Sequence, residues 1–204
     1  MRPEILFPLF TPVSTLQGVG PRLSTLYEKL AGGRVLDLCW HLPVGLVDRR
    51  YSPTIADAIS DRVATLKITV SRHIPSANRR SPYRVICHDQ TGEITLIFFH
   101  ARGDYLMKLL PVGEERIISG RLERFGDILQ MAHPDHMVPI SEEEDVKTVE
   151  PVYPLSAGVT LKPLSKAIKA SLALVPTIPE WLDSSLKEQE NWLDWHSCLQ
   201  KVHH

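Results

Sequence analysis

In the stretch "TLIFFHARGDYLMKLL" (95–110), Phe98 and Phe99 close an apolar run, and Arg102 and Tyr105 follow directly. Aromatic faces beside a guanidinium can stack on unpaired nucleobases while the cation holds a phosphate. Each stacked base contributes ~1–3 kcal/mol. Successive strand residues point to opposite faces. If Phe98 joins Ile94 and Leu96 in a core, Phe99 therefore points outward, near Arg102 and Tyr105. The alternative is that Phe99 covers the end of the sheet against the helix that Tyr105 opens.

Cations cluster in the same region. Residues 62–108 hold Arg62, Lys67, Arg72, Arg79, Arg80, Arg84, Arg102 and Lys108 against Asp89, Glu93 and Asp104, a local excess inside a chain of formal net charge -1. Lys67, Arg79, Arg80, Arg84 and Arg102 are the candidate phosphate contacts, because only this half of the molecule would attract a polyanion. An ordinary solvated face would show the same charges. Earlier in the chain, "LQGVGPRL" (16–23) matches the turn of a helix–hairpin–helix. There Gly18 and Gly20 would permit a tight turn and expose backbone N–H groups to one phosphate oxygen, with Pro21 at the first helical position. A plain glycine turn between packed helices is the competing explanation.

Other chemistries find no support. His88, His100, His133 and His136 are irregularly spaced, and Pro134 interrupts "HPDH", so no metal site is predicted. No GxxxxGK[ST] and no G-x-S-x-G occurs, and no nucleophile–base arrangement stands out. A catalytic set is absent from the expectation.

Elements that would position these residues can be read from periodicity. Leu23, Leu26, Tyr27 and Leu30 recur at helical spacing, and Val35 to Leu42 predict a second helix stopped by Pro43. "ATLKITVSRHI", "YRVICHD", "EITLIFFH", "ERIISGRLERF" and "ILQMAHP" alternate as five strands, with a hairpin turn at "DQTG". "DYLMKLL" forms a short helix between the third and fourth. That order predicts an α+β chain built on an OB-fold, a five-stranded Greek-key β-barrel, flanked by an N-terminal helical hairpin and C-terminal helices. OB-folds bind oligonucleotides on the face of strands two and three, and the loop between strands one and two here carries Arg79 and Arg80.

Three zones are expected: 1–60, helical with the Gly-Val-Gly hairpin; 61–140, the OB-fold; and 141–204, an acidic linker "SEEED" followed by helices. The last of these, "LKEQENWLDWHSCLQKVHH", would carry Trp192, Trp195, Leu199 and Val202 on one apolar stripe. The stripe would receive a further domain, so the chain reads as a fragment. "ILFPLF" is too short, and too broken by Pro8, for a signal peptide. No run reaches the ~18 apolar residues of a membrane span. Three dispersed cysteines suit a reducing compartment, so a cytoplasmic location without membrane contact is expected.

With these residues in view, the chain resembles the N-terminal region of the RecG family of bacterial ATP-dependent DNA helicases. The resemblance rests on "LQGVGPRLSTLYEKL", "VLDLCWHLPVGLVDRR", "DQTGEITLIFFHARGDYLMKLLPVGEERIISGRLERFGDILQMAHPDH", "VEPVYPLSAGVTLKPLSKAIKASL" and "WLDWHSCLQKVHH". It implies a wedge domain that splits the arms of stalled replication forks and Holliday junctions in recombination and repair. It also implies that Phe99 and Tyr105 stack on bases at the branch point. ATP and magnesium would belong to helicase domains absent from this stretch, which Trp192 and Trp195 would contact; no activity is expected of these residues alone. The rival reading is an OB-fold protein-interaction module that does not touch DNA.

Overall fold

Alternation such as that of "ATLKITV" buries one side of a strand and wets the other. In the computed structural model Leu66, Ile68 and Val70 are buried while Lys67 is exposed. The structure describes residues 3–78, 81–100, 102–179 and 182–203. Their helices are α1 (Pro21–Leu30), α2 (Val35–Cys39), α3 (Gly103–Leu109), α4 (Glu143–Val146), α5 (Leu161–Leu172), α6 (Ser184–Gln189) and α7 (Trp195–Val202). The strands are β1 (Gly45–Asp48), β2 (Val63–Ile74), β3 (Tyr83–His88), β4 (Glu93–Phe98), β5 (Glu115–Phe125), β6 (Ile128–Ala132), β7 (His136–Val138) and β8 (Val149–Val152).

Residues 47–150 form one unit, a barrel. Its strands run in the order β2-β3-β4-β6-β5, and β2 also pairs with β5, which closes the cylinder. The β4–β6 pairing is parallel and the other pairings are antiparallel. With α3 inserted between the third and fourth barrel strands, this is the OB-fold topology. Leu66, Val85, Leu96, Ile118, Leu122 and Met131 fill the interior, and Leu106 and Leu110 from the α3 region join them. The "DQTG" turn is held by Asp89, whose carboxylate accepts from the N–H groups of Ile55, Thr91 and Gly92.

Residues 1–46 and 151–204 make the second unit. Here Leu9, Tyr27 and Leu38 share one core with Tyr153, Leu164 and Ile168. The first and last expected zones, 1–60 and 141–204, therefore contribute to a common unit. "ILFPLF" is a 3-10 helix (Glu4–Phe10) that buries Leu9. Within the same unit, Tyr153 O–H and the buried His203 Nδ1 lie 2.9 Å apart, and His203 Nε2 is 3.0 Å from the Cys39 carbonyl. The strand pair β1–β8 carries the chain from one unit to the other and back.

"SEEED" stays largely exposed while folding into a 3-10 turn (Ile140–Glu142) and α4, whose last residue, Val146, is buried. One local expectation is corrected. The last helix is broken into α6 and α7. Asn191 adopts a left-handed φ of 54°. Asp194 then caps α7, accepting from Ser197 N–H at 2.8 Å and from Ser197 Oγ–H at 2.7 Å. This side-chain cap competes successfully with helix continuation. The apolar stripe is split in consequence: Leu199 is buried, Trp195 is partly buried against the core of its own unit, and Trp192 stands exposed in the connection.

Candidate nucleic-acid interface

At the end of β4 the two phenylalanines part. Phe98 is 4% exposed inside the barrel, whereas Phe99 is 50% exposed. Phe98 is registered opposite Tyr83 on β3. The Tyr83 hydroxyl lies 3.0 Å from His73 Nδ1, and His73 Nε2 lies 2.8 Å from the Leu110 carbonyl. A carbonyl can only accept, so His73 donates from Nε2 and receives the tyrosine proton at Nδ1. This relay ties β2, the start of β3 and the end of α3 together under the rim.

The same ring seats α3. A Cβ on Gly103 would lie 3.1 Å from Tyr83 Cε2, so glycine lets the first turn rest directly on the aromatic edge. Arg102 precedes that turn in an extended conformation, and its carbonyl accepts from the N–H groups of Tyr105 and Leu106. Leu106 faces inward and is buried, so its neighbour Tyr105 is carried outward, 62% exposed. Exposure of both Phe99 and Tyr105 thus follows from the burial of Phe98 and Leu106.

His133 completes the rim, a position that sequence reasoning considered only for metal binding. It follows β6, and its N–H donates to the Ile97 carbonyl at 2.9 Å, extending the parallel pairing with β4. Its φ of 46° is left-handed. Its Nε2 accepts the Phe99 N–H at 3.1 Å. The two rings lie 5.6 Å apart at 32°, and the Phe98 ring meets His133 edge-on at 6.0 Å. An accepting Nε2 places the proton of the neutral ring on Nδ1. The only signal in the sequence was that His133 directly follows the strand destined to pair with β4.

The cations fare differently. Arg84 is exposed on β3 opposite Ile97, two residues before Phe99, and has no ion pair among the described residues. Arg102 is likewise exposed and unpaired among them. Lys67 projects from β2 but is engaged by Glu115 Oε1 at 3.2 Å. Arg79 and Arg80 lie outside the described residues. Gly18 and Gly20 belong to the helical unit; Gly18 takes a φ of +85°, and Gly20 precedes α1 in an extended conformation.

Two of the three cysteines, Cys39 and Cys87, are buried, and Cys198 is exposed. Burial pushes the Cys39 thiol up to about 11 and the Cys87 thiol up to about 12. No group of His, Cys, Asp and Glu able to hold a metal is found among the described residues. No helix among them is long and apolar enough to cross a membrane.

The closed barrel with α3 between its third and fourth strands defines the class as OB-fold, and Phe99 and Tyr105 stand exposed where β4 ends and α3 begins. The RecG wedge domain family matches residues 12–175, and the chain belongs to that family. It is 27% identical over 203 residues to the ATP-dependent DNA helicase RecG of Aquifex aeolicus, covering 95% of this chain and 24% of that protein. The RecG helicase of Escherichia coli (strain K12) is 30% identical over 181 residues, 87% of this chain and 26% of the other. A structure of RecG bound to a three-way DNA junction matches with a TM-score of 0.80 at 21% identity, over 96% of this chain and 27% of that one. The chain thus spans about a quarter of the length of these relatives.

Proposed function

We propose that these residues form the branch-point wedge of a RecG-like helicase, binding replication forks and Holliday junctions where duplex arms part. One observation carries the reading: beside a wholly internal Phe98, Phe99 leaves half its surface in solvent at the barrel rim. A ring in that position can replace the stacking that a nucleobase loses when its pair opens, which lowers the cost of the opened junction. Tyr105 offers a second face on α3, and Arg84 and Arg102 neutralise backbone phosphates. A family relative recorded on a three-way junction supports a branched substrate.

The barrel separates strands passively; direction comes from ATP hydrolysis in motor domains of the same protein, which would bind ATP and magnesium. Of the two tryptophans, the exposed Trp192 is the one available to those domains, since Trp195 is already partly buried. Acting on the chromosome, the protein works in the bacterial cytoplasm.

Fluorescence anisotropy with forked and plain duplex DNA tests the proposal. Phe99→Ala should weaken fork binding by ~1–3 kcal/mol and leave duplex binding nearly unchanged. Equal losses on both substrates, or none on the fork, would contradict it.

A further inference from the structure

The rim contains an interaction with no place in the simple picture of one exposed phenylalanine. A half-exposed ring at the end of a strand is free to change rotamer, and a mobile ring loses entropy when a base stacks on it. Phe99 is restrained from two directions by one residue. The Phe99 N–H donates to His133 Nε2 at 3.1 Å, which holds the backbone where β4 has already ended. The His133 ring lies 5.6 Å from the Phe99 ring at 32°, which limits where that ring can turn. His133 is itself fixed by its N–H bond to Ile97 and by edge contact with the buried Phe98. It keeps this place at the cost of a left-handed backbone, φ 46°, a conformation uncommon for residues other than glycine. Strain of that kind, kept at the rim of a surface meant for a ligand, is characteristic of a pre-organised site.

We propose that His133 is the positioning residue of the base-stacking surface. It holds Phe99 through its Nε2 acceptor and its ring, so that a nucleobase meets a ring already in place. The inference rests on the reading of Phe99 as a stacking residue. It differs in assigning part of the affinity to a side chain that need not touch the base. Because the bond to Phe99 occupies Nε2, the neutral tautomer with its proton on Nδ1 is the one that can act here.

The test uses the 204-residue chain and a fork carrying 2-aminopurine at the branch point, so that affinity and base stacking are read together. The variants are Phe99→Ala, His133→Ala, His133→Gln and Phe99→Ala/His133→Ala. Glutamine presents an acceptor at about the reach of Nε2. It bears the same left-handed strain as alanine, so the Gln–Ala difference isolates the hydrogen bond from the backbone. Thermal melting of each variant establishes that it is folded. His133→Ala should weaken fork binding about three- to tenfold, reduce the 2-aminopurine response and leave duplex binding unchanged. His133→Gln should recover at least half of the loss on a logarithmic scale, and the double variant should bind as Phe99→Ala does. Wild-type binding by His133→Ala, with a loss in Phe99→Ala, would overturn the positioning role while leaving the wedge reading intact. So would equal losses in His133→Gln and His133→Ala, or additive losses in the double variant. No loss in Phe99→Ala would instead remove the wedge reading on which the proposal rests.

Discussion

Arg49 and Glu150, 101 residues apart, are joined by a 2.7 Å bond from Nε to Oε2 at the two ends of the barrel unit. Arg49 is 4% exposed, and its guanidinium also donates from Nη1 to Asp135 at 3.0 Å and to Ser119 Oγ at 3.2 Å. Thr65 Oγ1 donates its single proton to the Arg49 carbonyl at 2.8 Å and accepts from Ser119 Oγ–H at 2.9 Å, so β2 and β5 are tied into the same cluster. His136 Nε2 lies 3.0 Å from the other Glu150 oxygen. A buried arginine is tolerated here because its partners supply opposite charge and hydrogen bonds together.

That cluster predicts a loss of stability in acid. The hydrogen bond from His136, aided by Arg49 and opposed by burial, holds the Glu150 carboxyl down to about 2. An unfolded glutamate titrates near ~4.3. The folded value is the lower one, so the contribution is complete above the unfolded value and drains away as pH falls toward about 2. Urea titrations from pH 6 to pH 3 should show it, and Glu150→Gln should cost about 1.5–3 kcal/mol at pH 6. The variant should also lose less stability than wild type on acidification; parallel losses would count against the cluster.

Phe98 and Phe99 should separate stability from binding. Phe98→Ala empties a core position and should cost about 3–5 kcal/mol in chemical denaturation. Phe99→Ala should change stability by less than about 1 kcal/mol, because half its surface is already wet. Comparable destabilisation by both would mean that Phe99 is a packing residue.

Salt dependence should distinguish the cations. Arg84→Ala should reduce the slope of log affinity against log salt by about 1 on fork DNA. Lys67→Ala should change that slope less, since Glu115 already neutralises the ammonium. An unchanged slope in Arg84→Ala would remove this side chain from the phosphate contacts.

The two hairpin glycines should also behave differently. Gly18→Ala places a Cβ in open space but on a φ of +85°, so it should destabilise the helical unit by about 1–2 kcal/mol through the backbone alone. Gly20→Ala, with ordinary φ and nothing within 4 Å, should cost less than about 1 kcal/mol. Melting temperatures of the two variants check this.

Much of the barrel was legible because burial on one side of a strand imposes a period of two residues. That rule separates Phe98 from Phe99, and "DYLMKLL", closed by Pro111 and Gly113, placed α3 between the third and fourth barrel strands. Local rules were less reliable where a side chain could intervene: the Asp194 cap and the left-handed Asn191 ended a helix that apolar spacing had extended. Similarly, "SEEED" takes up a 3-10 turn and a short helix ending on the buried Val146, which its charge gave no reason to expect.

Taken alone, the order of residues determined which faces are apolar and where the turns fall, since each depends on neighbours a few positions away. Only the folded chain decided that residues 1–46 would share a core with 151–204, and that His133 would support Phe99 from 34 positions downstream. Those meetings depend on packing and strand pairing across long separations, for which local periodicity carries no information.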